Sequence, residues 1–369
     1  LPICSIVDLF GQKLNDADNR LDIGGQYYHS SFLLYSEHSS IGESRISHTG
    51  VVDIYFDAQL EDDVRFFYQQ KVVHSFDAGE SPILLFLSQF SGDSPVDQLW
   101  LKFKVKNKYF VTLGKQPTKW GSGLVWQPTD FLNAQKFNPL ELIDQRLGVS
   151  LLKVEYPISN RGINLYSVLQ VNDANQVQDL GWLWRAEFLT EVGEYAISLA
   201  AKNNDALKVG FDLSRGLGPV DLRFDMAVIH DDHQPFYEGE FNFADGLLQT
   251  PTVVDRRDEW MPQVSTGFLY SRSFKEDYHY ILTVEYLYND LGYDNSELLS
   301  WSIINSLIPN GGSFSPLYYS QEYVTIGSMI TGFGADNDVS VNVLVIGNLS
   351  DGSGVVQGVY SAEVHEALL

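Results

Sequence analysis

The sequence predicts an all-β fold: a transmembrane antiparallel up-and-down β-barrel of about 16 strands, within a range of about 14–18. Three observations predict it. Apolar and polar residues alternate with a period of two along most of the 369 residues, as strands with two unlike faces require. Short and long links alternate between those strands, as in a barrel with tight turns at one end and long loops at the other. The stretch Tyr278–Tyr288, YHYILTVEYLY, places tyrosines at both ends of one face, Leu282 and Val284 between them, and His279 and Glu285 on the opposite face. A tyrosine ring is apolar and its hydroxyl seeks water, so the two tyrosine pairs suit the two bilayer boundaries.

Taken in order, residues 1–19 read as an N-terminal periplasmic segment and 20–369 as a single barrel domain. Cys4 is the only cysteine, so there is no disulfide framework and no cysteine metal site. LPIC does not make a lipidation box, because Ile3 is too large for the position before a modified cysteine. Strands are expected near 20–36, 45–60, 62–77, 97–106, 108–118, 146–158, 161–172 and 179–192, then 194–203, 206–216, 218–231, 261–274, 277–290, 322–333, 338–348 and 354–365. The second shows the pattern well: Val52, Ile54, Phe56, Ala58 and Leu60 alternate with Asp53, Tyr55, Asp57 and Gln59. Later ones repeat it, as in Leu222, Phe224, Met226 and Val228 against Asp221, Arg223 and Asp225.

Tight turns fall at Glu61-Asp62, Lys106-Asn107-Lys108, Ser159-Asn160-Arg161, Val192-Gly193-Glu194, Gly216-Leu217-Gly218, Lys275-Glu276 and Gly334-Ala335-Asp336. Between them lie the links 37–44, 78–96, 119–145, 173–178, 232–260, 291–321 and 349–353; Asn203-Asn204-Asp205 is a short member of this second set. The alternation assigns the tight turns to the periplasmic end and the long loops to the outside. A β-sandwich seldom meanders through so many strands, and a propeller would repeat a blade at a fixed period that is not seen here.

The formal net charge is −24, which argues against a nucleic-acid partner. If the apolar faces meet lipid, the opposite faces line a pore with Asp53, Asp57, Arg65, Lys71, Lys102, Lys104, Arg185, Glu187, Lys208, Asp212, Asp221, Arg223, Asp225, His279 and Glu285. The competing reading of each is a cross-strand ion pair that braces the wall.

Residues 109–133, YFVTLGKQPTKWGSGLVWQPTDFLN, carry a resemblance. Leu113-Gly114-Lys115-Gln116, Trp120-Gly121 and Pro128-Thr129-Asp130-Phe131-Leu132-Asn133 are similar to a pattern in porin-like Gram-negative outer-membrane barrels, including relatives of the alginate-export channel. Lys115 stands where that pattern has arginine. The resemblance implies a barrel, a substrate channel and an external loop able to fold inward. Its shared positions are Lys115, Gln116, Trp120, Gly121, Asp130 and Asn133. Gly121 and Gly123 permit tight turning, and Asp130 and Asn133 suit bracing of the loop. The C-terminal His365–Leu369 lacks the terminal aromatic usual in such barrels, which fits a chain that continues.

Two further segments hold candidate residues. His230-Asp231-Asp232-His233 offers metal or hydrolase residue types, but adjacent side chains on an extended chain diverge, and a solvated acidic loop is the default. Ser296–Pro309, SELLSWSIINSLIP, predicts a helix with Ser296 at its start and Leu299, Ile303, Ile304, Leu307 and Ile308 on one face. No catalytic or cofactor motif is present, so no enzyme activity, cofactor or metal is expected. The functional expectation is a passive channel of the bacterial outer membrane for small polar or charged solutes, mildly cation-preferring. Its partners would be the lipid bilayer and lipopolysaccharide, with a homo-oligomer or a periplasmic or extracellular protein as further candidates. The alternative is a barrel sheath enclosing a partner such as a periplasmic electron carrier; without a CxxCH motif, any haem would belong to that partner.

Overall fold

A computed structural model describes residues 3–13, 20–34, 45–75, 96–132, 148–171, 180–203, 205–240, 242–244, 247–274, 278–306, 318–333 and 339–362. Among these residues the main sheet has seventeen strands. They are β1 (Ile3–Lys13), β2 (Leu21–Leu34), β3 (Arg45–Glu61), β4 (Val64–Ser75), β5 (Val96–Val105), β6 (Tyr109–Gln116), β7 (Val149–Ile158), β8 (Ile163–Gln170), β9 (Gly181–Leu189), β10 (Glu194–Lys202), β11 (Leu207–Leu217) and β12 (Val220–His230). The sheet continues with β17 (Trp260–Phe274), β18 (Tyr278–Asn289), β19 (Glu322–Phe333), β20 (Val339–Asn348) and β21 (Gly354–Ala362). Each strand pairs antiparallel with its neighbour in the chain, as in Glu285↔Thr325 between β18 and β19. The link between β12 and β17 holds β13 (Phe236–Glu238), β14 (Asn242–Ala244), β15 (Leu247–Gln249) and β16 (Thr252–Val254), nested as β13–β16 and β14–β15.

All sixteen expected strands are present, and one more precedes them. Residues 3–13, part of the stretch 1–19 expected as an N-terminal periplasmic segment, form β1 and pair with β2. A bulge between Asp8 and Phe10 shifts the β1 register, so apolar residues fall on both parities and the alternation is hidden in the sequence. Because the number of antiparallel strands is odd, β1 and β21 run in the same direction. They lie side by side, although no ladder joins them among the described residues.

The turns form for local reasons. Between β5 and β6, Lys106 and Asn107 both take φ 53°, and the Lys108 N–H donates to the Val105 carbonyl at 3.1 Å. Positive φ at two successive turn residues matches the twist of the strands they join. Between β7 and β8 the chain makes one short 3-10 turn, Ser159–Arg161.

The two faces of the sheet are reversed relative to a water-soluble protein. Ile54 and Leu113 are exposed at 52% and 53%, and Leu99, Trp184, Ile197, Phe211, Leu222, Ile326 and Val343 are exposed with them. The opposite parity buries Asp53, Thr112, Arg185, Ser198, Asp212, Asp225, Ser265, Thr283, Glu285 and Thr325. Tyr280, Leu282, Val284, Tyr286 and Tyr288 share the outer parity of β18. No helix among the described residues is long and apolar enough to cross a membrane.

The helix α1 spans Ser296–Ser306. Its cap is Asn295, whose Oδ1 accepts the Leu298 N–H at 2.8 Å, rather than Ser296. Leu298, one position from the expected face, is buried with Tyr237 and Tyr293, and Leu299 of that face packs against the same cluster beside Phe236 and Trp301. Leu307 and Ile308 lie outside the described residues.

Candidate functional site: a segment latched inside the barrel

Between β6 and β7 the chain turns back into the barrel. Residues 120–132 touch inner-face residues from both halves of the wall. On one side Trp120, Phe131 and Leu132 cover Val149 and Leu151 of β7, Val168 of β8, Leu183 of β9, Ala200 of β10 and Ala227 of β12. On the other, Val125 and Trp126 pack on Leu287 of β18, Tyr323 of β19 and Leu344 and Ile346 of β20. One short segment can reach all of these only if the sheet curls around it.

Polar latches hold the segment. Asp225 accepts the Ser122 N–H at 3.1 Å, the Thr129 N–H at 2.9 Å and the Thr129 hydroxyl at 3.2 Å. Glu285 accepts the N–H groups of Leu124 at 2.8 Å and Val125 at 2.6 Å. Both carboxylates are at most 1% exposed. Arg223 donates to the Ser122 carbonyl at 2.7 Å, and the Tyr318 hydroxyl accepts the Gln127 N–H at 3.1 Å. A loop that turns inward has no strand ladder to take up its backbone N–H groups, and buried amides left unpaired are costly. The wall carboxylates satisfy them, and the amides in turn solvate buried charge.

Glycine makes the approach possible. Gly121 has φ +91°, and a Cβ there would lie 2.3 Å from Asp225 Oδ2. A Cβ on Gly123 would lie 1.9 Å from the Trp126 carbonyl oxygen and 3.0 Å from Glu285 Oε1. Trp120 is buried beneath the Arg185 guanidinium, 5.7 Å from its ring. Gln116 is buried at the end of β6, and Lys115 donates to the Val96 carbonyl at 2.7 Å. The Asp130 N–H donates to the Gln127 carbonyl at 3.0 Å, and Asn133 lies outside the described residues.

The charged residues singled out in the sequence all fall on the inner parity, but they do different things. Arg185 donates to Asp212 at 2.6 and 3.0 Å, to Glu187 at 2.8 Å and to the Ser198 hydroxyl at 2.9 Å. Lys71 pairs with Asp97 at 2.9 Å, and Arg65 with Asp57 at 2.8 Å. Lys71–Asp97 and Arg65–Asp57 are braces within the wall, whereas Arg185 and Asp212 brace it and also touch the inward segment, Arg185 over Trp120 and Asp212 at 3.4 Å from the Thr129 hydroxyl. Asp225, Glu285 and Arg223 bond to the backbone of that segment. Lys102 and Lys104 each approach the Phe110 ring at 5.6 Å. Lys208 and Asp221 stand opposite Ala200 and Gly216, and His279 contacts the Ser273 hydroxyl at 2.9 Å near the short-turn end. Asp97 escapes the sequence pattern: a bulge where Gln69 and Gln70 oppose Gln98 and Val96 puts it out of step with the alternation around it.

His230 and His233 do not converge. His230 stacks on Trp260 with ring centroids 4.4 Å apart, and its Nδ1 lies 3.0 Å from the Glu259 carbonyl. His233 lies 3.4 Å from Asp231, whose φ is 59°. Nearby, the hydrogen bonds from Arg257 hold the pKa of the exposed Asp255 carboxyl down to about 2.

An antiparallel meander with an apolar outer band, a polar interior and alternating short and long links is a transmembrane up-and-down β-barrel. No protein-family model matches the chain, and no curated protein does. Its fold is similar to solved porins. OmpF of Salmonella typhi, solved with daunomycin, has 13% identity over 88% of this chain and 89% of that one, with a TM-score of 0.48. A mutant form of Rh. blastica porin has 11% identity over 92% of this chain and 98% of that one, with a TM-score of 0.49.

Proposed function

We propose that this barrel is a passive channel of the bacterial outer membrane for small polar or charged solutes, its width set by the segment 120–132. The observation that carries the reading is the wall-to-segment latch. Asp225 and Glu285 commit buried charge to holding a loop inside the barrel, which narrows a passage without adding reactive groups. The outer band is in contact with lipid, with lipopolysaccharide around the rim of the long loops. Mild cation preference comes from the mouth, where Asp232, Glu238, Glu240, Asp255, Asp258 and Glu259 outnumber Arg256 and Arg257. Kinship with the alginate-export group rests on residues 113–133 alone.

A sheath around a partner protein is the second reading; what weighs against it is that Trp120, Trp126 and Leu132 pack on both halves of the inner wall, inside the barrel that such a partner would occupy. The test is planar-bilayer recording with the purified chain. Discrete conductance steps support the channel. Electrical silence together with stoichiometric co-purification of a haem protein would reverse the ranking.

A further inference from the structure

Several cations of the inner wall have a carboxylate. Arg65 pairs with Asp57, Lys71 with Asp97, and Arg185 with Asp212 and Glu187. Lys102 and Lys104 of β5 and Lys153 of β7 do not. Among the described residues, no ion pair or hydrogen bond joins the side chain of any of the three to a neighbour.

The three lie together. Lys102 and Lys153 stand opposite Thr112 of β6, one from each flanking strand. The Nζ atoms of Lys102 and Lys104 are each 5.6 Å from the centroid of the Phe110 ring, two positions along β6 from Thr112. Lys104 and Lys153 are half-buried, Lys102 opens to the lumen, and Thr112 is buried between its neighbours. Lys153 follows Leu151 on the inner parity of β7, and Leu151 packs under the inward segment. The acid nearest the patch is Glu155, opposite Phe110 and within electrostatic reach of Lys153 without bonding to it. Glu187 is also within reach of Lys153, but Arg185 and the Tyr166 hydroxyl already donate to it. Three lysines and one glutamate leave two positive charges uncompensated.

We propose that Lys102, Lys104 and Lys153 hold a resident divalent oxyanion of the phosphate or sulfate class, which braces the wall where the chain supplies no carboxylate. The inference goes beyond the channel reading and does not depend on conduction. Half-buried ammonium groups without a counter-charge are costly, and like charges side by side add to the cost. Elsewhere on this wall a cross-strand carboxylate is the remedy. Chloride brings one charge and no directional acceptors. A carboxylate brings one charge on two oxygens. A divalent oxyanion matches the two positive charges and has enough oxygens for three ammonium groups and the Thr112 hydroxyl. Held here, it would cancel the positive patch and leave the acidic loops to set the field at the mouth.

The probe is inorganic phosphate, titrated calorimetrically into the detergent-solubilised full chain at constant ionic strength, at a pH where phosphate is mainly divalent. Sulfate is the second arm and chloride the control. Phosphate and sulfate should each bind saturably and raise the temperature at which the folded gel band is lost. Lys153→Gln should raise the half-saturating concentration about tenfold or more, because a hydrogen bond between charged groups is lost. Lys102→Gln should do the same, whereas Lys208→Gln, elsewhere on the inner wall, should not. Lys153→Glu supplies the counter-charge within the chain. It should abolish phosphate binding and melt no lower in chloride than the unaltered protein. Binding by a chain that passes no current keeps the oxyanion site and removes the channel. No saturable heat, binding indifferent to Lys102 and Lys153, or equal protection by chloride overturns the site, whatever the bilayer recordings show.

Discussion

Weakening the latch should release the inward segment. Glu285 accepts two backbone N–H groups of that segment at 2.8 and 2.6 Å from a site that is 1% exposed. Glu285→Gln keeps the shape but removes the charge and turns one acceptor into a donor facing an amide. A hydrogen bond to a charged group contributes roughly 1.5–3 kcal/mol, and a buried amide left unpaired costs a similar amount. Losing one such bond and weakening the other should shift the docked segment by about 2–4 kcal/mol, roughly 30-fold or more in its equilibrium. Adding Asp225→Asn weakens three further bonds on the same segment, so the double variant should exceed either single one without being additive. Single-channel recording should show added open-channel noise for Glu285→Gln and a larger mean conductance for the double variant. Amide hydrogen exchange at Ser122, Leu124, Val125 and Thr129 reports the same release without requiring current. Unchanged conductance together with unchanged exchange in the double variant would refute the latch.

Three further outcomes are expected. Gly121→Ala places a Cβ 2.3 Å from Asp225 Oδ2 at φ +91°. It should cost about 1–3 kcal/mol of backbone strain, read as faster exchange of residues 120–129 and a lower temperature for losing the folded gel band. Leu113→Arg, on the outer face, should destabilise the barrel by roughly 2–4 kcal/mol in vesicles if it sits at mid-bilayer, and clearly less near either boundary. The measurement is a urea titration of intrinsic fluorescence. Reversal potentials across a KCl gradient should show a cation preference that fades between ~0.01 and ~1 M salt, because an entrance field is screened over a shrinking Debye length. Anion preference, or a preference indifferent to salt, would put the selectivity somewhere other than the acidic mouth.

The period-two pattern determined the strands by itself, because a strand between lipid and polar interior must alternate at nearly every position. Val52–Leu60 shows this plainly, and β3 runs Arg45–Glu61. Link lengths determined the hairpin order, since antiparallel neighbours need only a tight turn while the other end is free to lengthen. The pattern fails where a bulge breaks it: β1 is hidden because its parity switches at Asp8/Phe10, and Asp97 because it sits at the β4–β5 irregularity. Tertiary structure alone decided what the inner charges do. Asp212, Asp225 and Glu285 look alike in the sequence, each an acid on the polar parity of a strand. Asp212 meets Arg185 on a nearby strand, while Asp225 and Glu285 meet the amides of a loop some hundred or more positions earlier. Alternation reports which face a side chain takes; it cannot report which distant backbone will fold across that face. That depended on Gly121 and Gly123 bringing the loop's N–H groups close enough for two buried carboxylates to accept them.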